Sequence, residues 1–191
     1  MRKNIDLHNI VETAARKADE EGLEHVTLSS VAKELGIKSP SLYNHVDGLS
    51  GLRKQMALHA LATLRERMMA AAFNKTGKDA IISVSKAYVK YATEHPGLYE
   101  AFIMTPDDED EEVKEQGDQL VGMMFRLLEP YDFSETEQVH IVRGIRSINH
   151  GFAVLEAKQG FKMNVNPGQS LEFVLRIFLA GLDAGSDGRF S

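Results

Sequence analysis

Apolar residues recur along this chain at the three- and four-residue spacing of amphipathic helices. Leu7, Ile10, Val11, Ala14, Ala15 and Ala18 share one face of a first helix. Asn4 is its expected N-cap and Gly22 its stop. Thr27 is placed to cap a short second helix with apolar positions Leu28, Val31, Ala32 and Leu35. Gly36 permits a left-handed turn, and Ser39-Pro40 opens a third helix running to His45. A long fourth helix is expected from Leu49 to Phe73. Further helices are expected over Lys78–Glu94, ended by Pro96-Gly97, and over Val113–Leu128, ended by Pro130. Ser134 to Glu137 forms a capping box for a helix to about Lys158, and Asn166-Pro167-Gly168-Gln169 opens a last helix to about Ala184. No segment alternates as a strand does, so the predicted fold is all-α.

Charge divides the chain. Residues 1–54 carry eight basic and eight acidic groups, so the net charge of −6 arises entirely in residues 55–191. Much of it lies in the run Asp107-Asp108-Glu109-Asp110-Glu111-Glu112, a solvated segment by the usual behaviour of like charges and a potential repeller of phosphates. With no cysteine, disulfides, thiolate metal sites and cysteine nucleophiles are excluded. No apolar run is long enough for a membrane span and no signal peptide is seen, so a cytoplasmic protein without a membrane partner is expected.

The short helix, glycine turn and short helix have the spacing of a helix-turn-helix, whose second helix enters the DNA major groove. Lys38, Ser39, Ser41 and Asn44 are small or polar enough to approach base edges, and Tyr43 and His45 offer polar tips to phosphates. Thr27 lies where a helix N-terminus suits a phosphate.

The residues Ile10-Val11, Ala14-Ala15, Gly22, Val26-Thr27-Leu28, Val31 to Ile37, Pro40 to Val46 and Leu52 resemble the N-terminal domain of the TetR family of bacterial transcriptional regulators. The resemblance covers residues 1–65. His95-Pro96-Gly97-Leu98-Tyr99, Asn149-His150-Gly151-Phe152 and Leu155-Glu156 further resemble a subgroup with a WHG-type C-terminal domain, although this chain contains no Trp. The resemblance implies an N-terminal helix-turn-helix domain (1–65) joined by the long fourth helix to an effector-binding and dimerisation bundle (66–191). It implies DNA contacts from Thr27, Lys38, Ser39, Pro40, Ser41, Tyr43, Asn44 and His45. The family often carries Lys where this chain has Leu49, and the nearest substitutes are Arg53 and Lys54, of which Lys54 joins the expected contacts. The implied function is a repressor released from a palindromic double-stranded DNA operator by a small-molecule inducer.

The last helix is apolar nearly all round, which requires burial on more than one side and points to a homodimer. Together with the helix from Ser134 it would supply Ile145, Phe152, Val174, Ile177, Phe178 and Gly181 to a four-helix interface. Phe73, Tyr88, Tyr91, Tyr99, Phe102, Met123 and His150 are candidate lining for an effector cavity. No cofactor, metal site or catalytic residue is expected. The competing readings are a helical metal enzyme, for which Glu137 and His140 supply half of one di-iron pattern, and a protein-binding adaptor.

Overall fold

The computed structural model describes residues 5–105 and 110–185, and all regular structure among them is helical. In order these are α1 (Leu7–Glu21), α2 (Leu28–Leu35), a 3₁₀ recognition segment (Ser39–Asn44), α3 (Gly48–Ala72), α4 (Gly77–Glu94), α5 (Pro96–Met104), α6 (Glu111–Leu128), α7 (Glu135–Ala157) and α8 (Pro167–Gly185). None of the described helices is long and apolar enough to cross a membrane. The chain forms two compact units, Met1–Thr63 with Glu94–Gly117 and Leu64–Thr93 with Asp118–Ser191. This division differs from a boundary at residue 65, because α5 and the start of α6 belong with the N-terminal helices.

In the first unit, α1 packs on α2 and on α5, with Ile10, Val11, Ala14, Ala15 and Ala18 buried as their spacing predicts. Asn4 lies outside the described residues; the cap of α1 is Asp6, whose carboxylate accepts the Asn9 N–H at 2.8 Å. Pro96-Gly97 does not merely end α4. Pro96 sits in the first turn of α5, where its missing N–H costs nothing, and Gly97 lies against α1. A Cβ on Gly97 would stand 2.2 Å from the Ala18 carbonyl carbon, so only glycine lets the backbones approach this closely. Asp19 completes the joint by accepting the N–H groups of Gly97 at 2.9 Å and Leu98 at 3.1 Å, with its other oxygen 2.9 Å from His95 Nδ1. One carboxylate from α1 thus caps α5.

In the second unit, α4 is buried on most of its circumference by Ile81, Ile82, Val84, Tyr88, Val89 and Tyr91. Helix α8 packs on α7 and buries Leu171, Leu175, Leu179 and Leu182. The other side of α8 stays open, although the sequence pattern is apolar there too. Phe178 rests on Gly144 of α7, where an added Cβ would lie 2.7 Å from the ring. The capping box predicted at Ser134 is present. Ser134 Oγ accepts the Glu137 N–H, and Glu137 accepts the Ser134 N–H at 2.8 Å and hydroxyl at 2.6 Å. These bonds hold the Glu137 carboxyl below its usual range.

Candidate nucleic-acid interface

The site is built from the start of α2 onward. Thr27 Oγ1 accepts the Ser30 N–H and Ser30 Oγ accepts the Thr27 N–H, both at 3.0 Å, which fixes the first turn of α2. The Thr27 hydroxyl proton stays available, and the N–H groups of Leu28 and Ser29 have no acceptor among the described residues. At the other end Gly36 adopts a left-handed φ of 72°, and the Ile37 N–H returns to the Ala32 carbonyl at 3.0 Å. The chain therefore turns within three residues, from Gly36 to Lys38, and re-enters helix at Ser39.

The sequence predicts that the second helix of the motif runs from Ser39 to His45. It is a 3₁₀ helix over Ser39–Asn44, with Ser41 N–H bonded to the Lys38 carbonyl and His45 N–H to the Leu42 carbonyl, both at 2.9 Å. A period of three brings positions i and i+3 into line. Ser39 and Leu42 accordingly form the inner edge, Leu42 wholly buried and Ser39 half-buried. Pro40 and Tyr43 form a second edge, Ser41 and Asn44 a third, and all four are exposed, as are Lys38 and His45. Tyr43 is 61% exposed, too much for a core aromatic without a role outside the chain. Six residues of the expected DNA-contact set (Lys38, Pro40, Ser41, Tyr43, Asn44, His45) are thus exposed in and beside one short helix anchored by buried Leu42.

Lys54 behaves differently. Its ammonium lies 2.8 Å from Asp110 Oδ2 and 3.0 Å from Glu112 Oε2, and its side chain is about a third exposed. The hydrogen bonds to Asp110 and then Glu112 raise its pKa, and the bond from Lys54 lowers that of Asp110. Sequence reasoning had no local signal for this pairing across more than fifty residues. Another cation near the motif, Arg16, is held by Glu34 of α2, which raises its pKa.

The candidate effector residues are divided between the units. Tyr99 and Phe102 are in the first, on α5, with ring centroids 6.2 Å apart. Tyr88, Tyr91, Met123 and His150 are in the second, with His150 half-buried and the others buried. Phe73 is 74% exposed and lines nothing enclosed. The set therefore does not form a single lining within either unit. Of the expected interface residues, Ile145 is only 1% exposed and serves its own unit's core, because α7 turns that position inward. Phe178 is occupied by Gly144, and Phe152 lies 5.3 Å from the Phe161 ring. Val174, Ile177 and the half-exposed Gly181 remain accessible on α8, together with Phe173. Glu137, which with His140 made half of the di-iron pattern, is engaged by Ser134, and no three metal-ligating side chains gather among the described residues.

Comparisons with known proteins converge on this architecture. A family model described as the tetracyclin repressor-like C-terminal domain matches residues 81–178. An uncharacterised HTH-type transcriptional regulator of Bacillus subtilis (strain 168), YobS, is 38% identical over 174 residues, covering 91% of this chain and 90% of its own. The fold is shared with a TetR variant of Acinetobacter baumannii AYE solved with minocycline, at a TM-score of 0.72 and 16% identity, covering 96% of this chain and 99% of that one. It is also shared with BioQ solved with its double-stranded DNA operator, at a TM-score of 0.68 and 20% identity, covering 95% of this chain and 99% of that one. With the helix-turn-helix in place and the family model covering the C-terminal half, the chain belongs to the TetR family of transcriptional regulators.

Proposed function

We propose that this regulator acts as a repressor that binds a near-palindromic double-stranded DNA operator as a two-fold homodimer and is released by a small-molecule inducer. The observation that carries the DNA reading is the exposed ridge of Lys38, Pro40, Ser41, Tyr43, Asn44 and His45 over buried Leu42. Asn44 and Ser41 are hydrogen-bonding groups of the size that reads base edges, and Tyr43, His45 and Thr27 are suited to phosphates. The neutral balance of residues 1–54 makes groove fit and dimerisation more important than a broad basic field.

The dimer is supported by α8, where Phe173 and Ile177 are 65% and 61% exposed beside Val174. Soluble chains rarely leave such a stripe uncovered, and a second copy offers the same stripe in return. Gly181 on α8 and Gly151 on α7 have open space where a Cβ would stand, which favours close helix approach. The inducer is supported by Ser85 Oγ and Asn149 Oδ1 of the second unit, buried with no hydrogen-bond partner. Such atoms cost about 1–3 kcal/mol each until a ligand or water satisfies them. Tyr88, Tyr91, Met123 and His150 are the candidate residues that accompany them.

The mechanism follows from chain continuity. Helix α3 begins in the DNA-binding unit and ends in the second, so a ligand that prefers a tilted α3 alters the separation of the two recognition ridges. They then no longer match major grooves one turn, about 34–36 Å, apart. Selection of binding duplexes from a random pool, followed by footprinting, tests the reading. The expected result is a protected near-palindrome with half-sites one turn apart. Protection without sequence preference would refute it. For any inducer found, affinity for free and operator-bound dimer must differ by the factor by which it weakens operator binding.

A further inference from the structure

The pairing of Lys54 with Asp110 and Glu112 stands apart from both the recognition ridge and the α8 stripe. Lys54 lies in the second turn of α3, in the helix that begins three residues after His45. Two carboxylates converge on its ammonium, at 2.8 and 3.0 Å. Asp110 is additionally fixed, because its Oδ1 accepts the N–H groups of Glu112 at 3.0 Å and Val113 at 3.3 Å. The residue that caps α6 is therefore also a residue that holds Lys54. To an ammonium, a carboxylate oxygen and a phosphate oxygen are equivalent partners at the same distance. With Leu49 at the start of α3, the cations of its first two turns are Arg53 and Lys54.

We propose that Asp110 and Glu112 act as an internal phosphate mimic that occupies Lys54, so that opening the first turn of α6 hands this lysine to the operator backbone. The proposal rests on the DNA-binding reading above and adds a regulated contact to it. With the contact closed, the ammonium is neutralised and two carboxylates repel any phosphate that approaches. With it open, each protomer gains one phosphate contact. Helix α6 starts in the first unit and continues into the second, so events in the second unit can reach this turn along one continuous helix.

The test compares four proteins: wild type, Asp110→Asn with Glu112→Gln, Lys54→Met, and the triple variant. Asparagine is as good an N-cap as aspartate, so the double variant keeps α6 capped; a thermal melt confirms the fold. The probes are a fluorescent duplex selected by the wild-type protein and a scrambled duplex of equal length, each titrated across a salt series. The double variant should bind both probes about five- to tenfold more tightly per protomer at 0.1 M salt. Its slope of log affinity against log salt should steepen by about 0.9 per protomer, the value for one released counterion. In the Lys54→Met background the same two changes should alter affinity less than about twofold, because the lysine they release is gone. An equal gain in that background would mean bulk charge alone, and no gain in the double variant would mean Lys54 never meets DNA; either result overturns the proposal. If wild type selects no duplex and no variant binds either probe, the DNA-binding reading itself fails and the mimic falls with it.

Discussion

The recognition segment and α8 each leave a helical face in solvent, and the two faces have opposite chemistry. On the segment, buried Leu42 supports two outer edges, Pro40 with Tyr43 and Ser41 with Asn44. On α8, a buried row of Leu171, Leu175, Leu179 and Leu182 backs an outer row of Phe173, Val174 and Ile177. A polar face in water has no hydrophobic reason to be covered and waits for a partner with complementary hydrogen bonds and charge. An apolar face is unfavourable in water by roughly 25 cal/mol for each Å² left exposed, and so has a standing drive to self-association. On the proposed reading the polar face carries specificity and the apolar face assembly, so each is open to substitution at its own residues.

The largest effect is expected on the apolar side. Phe173→Glu with Ile177→Glu places two carboxylates in the proposed interface, where each buried ion costs several kcal/mol. Sedimentation velocity should show monomer at concentrations where the wild type is dimeric, a shift of a hundredfold or more in the dimer constant. Operator affinity should fall with it, because two linked half-site contacts bind far better than one. The helix should survive, since both side chains face solvent in the single chain. A dimer that persists in this variant would place the interface elsewhere.

Leu42→Ala inverts the comparison. It removes the buried support of the polar ridge at an expected cost of about 2–5 kcal/mol to the first unit. The predicted outcome is a lowered first thermal transition and lost operator binding, while sedimentation still reports a dimer. Loss of dimerisation in Leu42→Ala would show that the two faces are energetically coupled.

What the sequence revealed, and what it concealed, follows the range of the interactions. Thr27 with Ser30, Gly36 with Ile37 and Ser134 with Glu137 are caps and turns closed within a few residues, and their side-chain chemistry announces them. The helix after the glycine turn was legible for the same reason, although it takes a tighter 3₁₀ form over Ser39–Asn44, with Pro40 in its first turn. The joint of Asp19 with Gly97 and Leu98 spans 78 and 79 positions, and nothing near Pro96 indicates that it begins a helix against α1 rather than ending one. The capture of Lys54 by Asp110 is hidden likewise. Periodicity places Ile145 and Leu155 on an apolar helix, but it does not say which partner covers each residue. The structure turns Ile145 into its own core and leaves Leu155 exposed.

The finest test stays on the polar ridge, between neighbours of different expected role. Tyr43 presents a phenol at the end of a long side chain, the reach of a phosphate contact, whereas Asn44 carries an amide able to donate and accept at one base edge. Tyr43→Ala should weaken binding by a similar factor for every duplex, specific or scrambled, because phosphates are present in all of them. Asn44→Ala should cost about 1–3 kcal/mol on the selected operator and little on the scrambled one, with relaxed preference at a single position of each half-site. Both side chains are exposed, so neither change should move the melting temperature by more than a degree or two. The discriminating quantity is therefore the ratio of specific to scrambled affinity, measured with the same protein preparation. A ratio unchanged by Asn44→Ala would assign Asn44 to the backbone and leave Ser41, its neighbour on the same 3₁₀ edge, as the residue that reads sequence.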